Sequence, residues 1–154
     1  MKISITAILL ISLWNHTNSN AQSATQAHKD SLHGLVIRYY ELNLKILQAS
    51  STVADIDNIF ELFTDDFVYI HPKYGGTYTR EVLYNSYVRI QKNGGYDGST
   101  VDVKIENIII GLNAVTTQRV YYQKGAEGEL NEIDPGMTLF EFKNGKISKI
   151  FEYW

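Results

Sequence analysis

His71 is the first side chain whose type and setting suit proton transfer. It ends a β-prone run over residues 67–71 and stands directly before Pro72, which closes the strand. An imidazole titrates at about pH 6.5 and can accept a proton inside a pocket. The alternative is a polar residue at a strand end that is hydrogen-bonded or hydrated. The direction of the ring decides between the two interpretations.

Further polar groups alternate along the strands predicted for the last third of the chain. Thr117, Arg119 and Tyr121 share one face of a strand, and one of its two faces must line any internal pocket. Glu152 lies between two apolar residues on one face of the last strand, where burial would raise the pKa of its carboxyl group. The commoner outcome is a hydrated glutamate on an edge strand.

The composition and the motifs present argue against several other kinds of functional site. The chain of 154 residues has no cysteine, which excludes thiol nucleophiles, disulfides and cysteine metal sites. Its formal net charge is −3 and its 14 basic residues are scattered, which disfavours nucleic-acid binding. His71 has no metal-binding partner at a suitable spacing, and no glycine-rich phosphate loop or G-x-S-x-G motif occurs. We therefore expect neither a metal nor a cofactor.

The first 21 residues are typical of a signal peptide. Lys2 precedes an apolar run over residues 3–14. Ser19 and Ala21 are small residues at the two positions that a signal peptidase recognises before its cleavage site. The run is shorter than the ~20 apolar residues that span a bilayer, which disfavours a membrane anchor. We expect cleavage after Ala21 and a periplasmic or secreted bacterial protein without stable membrane insertion. A flexible leader over residues 22–29 and one domain over residues 30–154 would follow.

The elements that must position these side chains follow from periodicity and turn signals. The predicted helices cover residues 30–48, 52–64 and 79–91. The predicted strands cover residues 67–71, 77–78, 101–110, 114–124, 137–142 and 146–154, with a loop over residues 125–131. Thr52 and Asp55 have the spacing of a capping box at the start of the second helix. The order indicates an α+β fold with helices on one side of a bent antiparallel sheet.

Three short motifs follow one another along the chain. They are FTDDFVY at residues 63–69, GGTYTRE at residues 75–81, and a segment over residues 140–154 that ends in EYW. In this order they resemble three parts of the SnoaL-like branch of the NTF2-like superfamily: a helix-to-strand junction, the entry to the third helix and the final hairpin. The resemblance covers about residues 31–154. It implies a cone of three helices on a strongly curved mixed or antiparallel sheet that encloses a pocket.

The resemblance also implies roles for individual side chains. Ketosteroid isomerase, a member of this superfamily, has its aspartate base before a proline, where this chain has His71. Its oxyanion-hole tyrosine lies in a segment similar to residues 38–42, and Tyr39 matches it. Thr138 stands where that isomerase has a protonated acid, and a threonine cannot replace a carboxylic acid. This departure counts against steroid isomerisation. The alternative for Tyr39 is a core tyrosine whose hydroxyl reaches a backbone carbonyl.

The resemblance implies a cofactor-free isomerase, dehydratase or cyclase with His71 as base and Tyr39 as hydrogen-bond donor. We expect a small hydrophobic or aromatic ligand, because several of the 11 tyrosines can line a cavity, although tyrosine also suits half-buried strands. The residues expected to contact this ligand are Tyr69, Arg119, Tyr121, Thr138, Glu152 and Trp154.

A non-catalytic module that binds a ligand or dimerises is the alternative function. NTF2-like domains often form homodimers through the outer face of the sheet. Val101, Val103 and Ile105 alternate along one strand and are expected to offer such a face. A cavity filled by its own side chains would favour this alternative.

Overall fold

A computed structural model describes residues 24–133 and 135–153 of the chain. The predicted signal peptide and its cleavage site lie outside these residues, and so does Trp154. No helix in the described part is both long enough and apolar enough to cross a membrane.

Three helices precede the long strands, as predicted: α1 (Gln26–Ile46), α2 (Val53–Phe60) and α3 (Arg80–Lys92). Helix α1 begins before residue 30, because the Thr25 side chain accepts a hydrogen bond from the His28 N–H and caps the helix. Residues 26–29 are therefore helical and do not belong to a flexible leader. The predicted capping box of α2 is confirmed, with the Asp55 carboxylate 2.8 Å from both the N–H and the hydroxyl of Thr52.

Seven strands form one sheet: β1 (Phe63–His71), β2 (Gly76–Thr79), β3 (Thr100–Ile110), β4 (Ala114–Lys124), β5 (Leu130–Glu132), β6 (Gly136–Lys143) and β7 (Lys146–Tyr153). Their order is β2-β1-β7-β6-β4-β3, and β5 pairs with β4. Only β1 and β7 pair in parallel among these strands, so the sheet is mixed. Register shifts in three strand pairs bend the sheet. The predicted α+β class, with helices on a bent sheet, is confirmed.

The junction between α2 and β1 differs from the prediction. Helix α2 ends at Phe60, and β1 already begins at Phe63. Phe63 and Phe67 are both buried, and their rings stack with centroids 4.0 Å apart. Residues four apart share a face in a strand as well as in a helix. The spacing of these phenylalanines therefore could not show which element contains Phe63.

The core fills the space between the helices and the inner face of the sheet. Its largest fully buried side chains include Phe60, Phe67, Phe140, Ile46, Ile56, Ile59, Ile147 and Ile150. Val103 and Ile105 of β3 pack against this core, because β3 runs beside α1. The expectation that these two residues form an outward dimer face is therefore wrong. The loop expected over residues 125–131 is also shorter, since β5 begins at Leu130.

Candidate functional site

A pocket of about 570 Å³ opens between α1, α3 and the inner face of the sheet. This volume lies within the range of roughly 300–1,000 Å³ that ligand pockets occupy. The helical side and the loops that follow α1 and α3 contribute Tyr39, Asn43, Ile46, Leu47, Leu83, Ser86, Tyr87, Ile90 and Tyr96. The sheet and the turn after β1 contribute Tyr69, His71, Tyr74, Tyr78, Arg119, Tyr121 and Glu152. The cavity is thus open, and it is not filled by its own side chains.

His71 lies in the pocket wall at the end of β1. Its side chain is on the inner face of the strand with Phe67 and Tyr69, and the residue is 3% exposed. Its ring packs on Tyr74 of the short 3-10 turn that follows, with centroids 4.2 Å apart. Burial lowers the pKa of His71 below 6.5, and the positive charge of Arg119 acts in the same direction. The imidazole is therefore neutral at pH 7 and able to accept a proton.

Tyr39 reaches the same pocket from helix α1. Its ring is buried and packs edge-on against Tyr40 and Phe140, with centroids 5.3 and 5.1 Å away. Burial raises the pKa of Tyr39 well above its ordinary value, so the phenol stays protonated and can donate a hydrogen bond. No backbone carbonyl among residues 24–133 and 135–153 accepts a hydrogen bond from its hydroxyl, in contrast to the alternative derived from the sequence.

A buried ion pair forms another part of the pocket wall. Arg119 Nη2 donates a hydrogen bond to Glu152 Oε2 at 2.9 Å, and the Thr138 hydroxyl donates to the same oxygen at 2.9 Å. The side chains of Arg119 and Glu152 are 3% and 5% exposed. Burial raises the pKa of Glu152, and Arg119 opposes this shift. Glu152 is buried because β7 lies between β1 and β6, which corrects the expectation of a hydrated glutamate on an edge strand.

The Arg119 guanidinium is also held by its neighbours on β4 and β6. It lies over the Tyr121 ring, 4.8 Å from the ring centroid. Gly136 is its register partner on β6, and a Cβ at that position would overlap the guanidinium. The Tyr121 hydroxyl in turn donates to Asn43 Oδ1 at 3.0 Å. One polar network therefore links helix α1 to strands β4, β6 and β7 around the pocket.

The structure brings together most of the side chains singled out in the sequence. His71, Tyr39, Tyr69, Arg119, Tyr121 and Glu152 all line the pocket. Thr138 does not line it and contacts the site through Glu152. Trp154 lies outside the described residues.

Several lining residues were not predicted. Asn43 interrupts the apolar stripe of α1, and that interruption was a usable signal. Tyr87 borders the cavity from α3, because the pocket lies against the same face of this helix as the core. Tyr96 follows α3 in a loop that carries no motif. Burial raises the pKa of Tyr96 to about 12, so this phenol is protonated at neutral pH as well.

The arrangement combines a neutral proton acceptor, protonated phenols and a buried guanidinium around one aromatic cavity. Such a set can remove a proton from a bound molecule and stabilise the negative charge that results. Among the described residues, no three histidine, aspartate or glutamate side chains are grouped so that they could hold a metal ion.

Solved structures of other proteins share the fold of this chain, although their sequences differ. No protein-family model matches the chain, and no curated protein matches it in sequence. A candidate SnoaL-like polyketide cyclase from Jannaschia sp. CCS1 superposes with a TM-score of 0.57 at 16% identity, covering 86% of this chain and 90% of that one. An NTF2-like protein from Anabaena variabilis ATCC 29413 gives 0.56 at 14% identity, covering 82% and 90%.

Bal32a, from a soil-derived mobile gene cassette, gives a TM-score of 0.58 at 19% identity, covering 81% of this chain and 89% of that one. Identities this low carry no conclusion about activity, because one fold supports many functions. They do establish the architecture: the chain has the NTF2-like fold.

Proposed function

We propose that this chain binds a small hydrophobic or aromatic molecule in its pocket and catalyses cofactor-free proton transfer on it, as an isomerase, dehydratase or cyclase. The observation that carries the proposal is that His71 and Tyr39 line one open cavity of about 570 Å³. Residue types suited to accepting a proton and to donating a hydrogen bond thus border the same space.

The roles follow from the protonation states. His71 is neutral at pH 7, so its ring accepts a proton from a carbon of the bound molecule. Tyr39 stays protonated and donates a hydrogen bond to the oxygen on which negative charge develops. The imidazolium then returns the proton to another atom of the ligand. No redox change occurs, so no cofactor is needed.

The walls of the pocket support an aromatic ligand. Seven tyrosine rings border the cavity, and their flat faces suit a molecule of similar shape. Structural neighbours include candidate polyketide cyclases, which is support by analogy of fold.

The test is a turnover assay on a panel of aromatic and polycyclic ketones, followed by His71→Ala. We expect the variant to bind the accepted ketone and to lose at least about 100-fold in kcat, the contribution of a positioned base. His33→Ala is the matched control, because His33 is an exposed histidine on α1. Unchanged turnover in His71→Ala would overturn the catalytic role. Binding without any turnover would favour the non-catalytic ligand-binding alternative.

We also propose that the chain forms a homodimer through the outer face of the sheet. Ile70, Phe151, Leu139 and Ile109 belong to one register row across this face, with Thr116 between the last two. Met137 and Tyr153 lie beside the row and are 48% and 47% exposed. An apolar surface of this kind is typical of protein interfaces.

Export is the remaining part of the proposal. The charged start at Lys2, the apolar run and Ala21 support a signal peptide that is cleaved before Gln22. Expression of the full chain in a bacterium should yield a periplasmic or secreted product, and mass spectrometry should find Gln22 at its N-terminus. Ala21→Arg should block processing. A full-length product that stays in the cytoplasm would contradict export.

A further inference from the structure

His71 is almost completely buried, yet the aromatic ring that packs on it is largely exposed. His71 is 3% exposed, whereas Tyr74 is 66% exposed. Their ring centroids are 4.2 Å apart, and the ring planes are tilted by 36°. Both residues line the pocket, but Tyr74 lies outside the hydrophobic core that the described residues form. The Tyr74 side chain therefore stands between the imidazole and solvent.

The turn between β1 and β2 fixes this arrangement. Pro72 begins a short 3-10 helix directly after His71, and Tyr74 ends it. Side chains three positions apart lie on the same side of such a helix, which brings the two rings together. Gly75 closes the turn in the left-handed region, with a φ of 86°, and its N–H donates to the Pro72 carbonyl at 3.1 Å. The Tyr78 hydroxyl donates to the Tyr74 carbonyl at 2.8 Å.

Titratable and charged side chains approach His71 from several elements. Burial is the largest cause that lowers its pKa, and the positive charges of Arg119 and Lys73 act in the same direction. Because burial contributes most, a group that keeps water away from the imidazole has the greatest control over its protonation. The titratable and charged groups around it are Tyr69 on β1, Lys73 and Tyr74 in the turn, Tyr78 on β2, Arg119 on β4 and Glu152 on β7, with Tyr39 on α1 and Tyr87 on α3 across the cavity.

We propose that Tyr74 is a positioning residue that covers the imidazole of His71, holds it against the pocket wall and shields it from bulk water. This inference rests on the proposed function, because it concerns the proton acceptor of that reaction. A hydrated imidazolium would exchange its proton with water, whereas a covered one keeps the proton for return to the ligand. Tyr74 acts on the reaction through His71, and the ring carries this role, not the hydroxyl.

NMR titration of the His71 ring tests the cover without any ligand. Tyr74→Ala removes a ring that lies outside the core, so the variant should fold, and the titration midpoint of His71 should rise toward 6.5. Tyr74→Phe keeps the ring and should titrate as wild type does. Tyr122→Ala is the matched control, because Tyr122 lies on β4 outside the pocket. An unchanged or lower midpoint in Tyr74→Ala would overturn the proposed cover.

Chemical labelling measures the exposure of the same ring independently. Diethyl pyrocarbonate modifies neutral imidazole rings that it can reach, and mass spectrometry locates the modified residue. In the wild-type protein, His71 should react more slowly than His33, which is exposed on α1. Tyr74→Ala should speed the labelling of His71 toward the rate at His33, and Tyr74→Phe should not. Equal rates at His71 in wild type and Tyr74→Ala would overturn the role of Tyr74.

The fate of the transferred proton shows whether the cover serves the reaction. With a substrate from the turnover panel in D2O, the wild-type protein should return mostly the ligand's own proton, so that product with solvent deuterium is the minor fraction. Tyr74→Ala should increase the deuterated fraction, and Tyr74→Phe should match wild type. A residue that only stabilised the fold would change the amount of active protein but not this ratio. An equal ratio in wild type and Tyr74→Ala would overturn the shielding role.

Failure of this inference can be distinguished from failure of the proposed function. If His71→Ala loses turnover while Tyr74→Ala changes neither the titration midpoint of His71 nor the deuterium ratio, the role of Tyr74 is overturned and that of His71 stands. If the wild-type protein turns over no compound of the panel, the proposed function fails. Tyr74 then has no proton transfer to serve, and this inference fails with it.

Discussion

The protonation state of His71 leads to a prediction of how activity depends on pH. Its pKa lies below 6.5, first because of burial and then because of the charge on Arg119. Only the neutral ring accepts a proton, so activity should rise with pH through a midpoint below 6.5 and then reach a plateau. NMR titration of the ring, assigned by its loss in His71→Gln, should give the same midpoint. A midpoint above 6.5 would contradict the burial of this ring.

Gly136 offers a second prediction about one residue. A methyl group at this position would overlap the Arg119 guanidinium, which is almost fully buried and bonded to Glu152. We expect Gly136→Ala to lower the free energy of unfolding by ~1–3 kcal/mol, as overpacking does. Gly34→Ala is the control, because nothing lies within 4 Å of its Cβ and alanine is the better helix former. Equal unfolding midpoints in urea for both variants would contradict the packing described around Arg119.

The sequence identified most of the polar side chains at the site but not their surroundings. Alternation along β4 placed Thr117, Arg119 and Tyr121 on one face, and this is the face that the structure turns inward. Glu152 could not be located in the same way. Its burial depends on β1 pairing with β7, two strands that lie far apart in the chain. The residue pattern within a strand does not show which distant strand it will pair with.

The capping box of helix α2 leads to a prediction about the stability of the fold. The side chain of Lys45 is the main cause that holds the pKa of Asp55 below its ordinary value of 3.8, with further hydrogen bonds from Thr52. Because the pKa is lower in the folded state, Asp55 contributes stability above pH 3.8 and loses it as the pH falls further. Asp55→Ala should cost ~0.5–2 kcal/mol at pH 7, as measured by urea unfolding.

This difference should shrink on acidification, because protonation removes the same interaction from the wild type. Glu61→Ala, at an exposed glutamate at the end of the same helix, should leave stability nearly unchanged. An equal cost at pH 7 for Asp55→Ala and Glu61→Ala would contradict the role of the cap.

Element boundaries were predictable where a side chain marks them. Thr52 and Asp55 marked the start of α2 in the sequence, and α3 ends at Lys92, directly before a segment with two glycines at residues 94–95. The start of α1 was missed because Thr25 lies among polar residues that have no apolar period of their own. The end of α2 was missed because Phe63 fits a helix and a strand equally well.

The outer face of the sheet leads to a prediction about the oligomeric state of the protein. We expect the protein to sediment as a dimer, and we expect Met137→Glu to shift it toward monomer by placing a charge in the apolar interface. Leu130→Glu is the control, because Leu130 is 63% exposed on β5, outside this face. A monomer at all concentrations in sedimentation velocity, or a dimer unaffected by Met137→Glu, would contradict this interface.

In the proposed function, the cavity between the helices and the sheet receives a neutral aromatic molecule. NMR titration of 15N-labelled protein with the aromatic probe 2-naphthol shows where such a molecule binds, because each backbone amide reports on its own surroundings. We expect saturable shifts at residues on β1, α1, β4 and β7 that border the cavity, among them His71, Tyr39 and Arg119. An absence of shifts, or shifts confined to Met137, Leu139 and Tyr153 on the outer face, would contradict it.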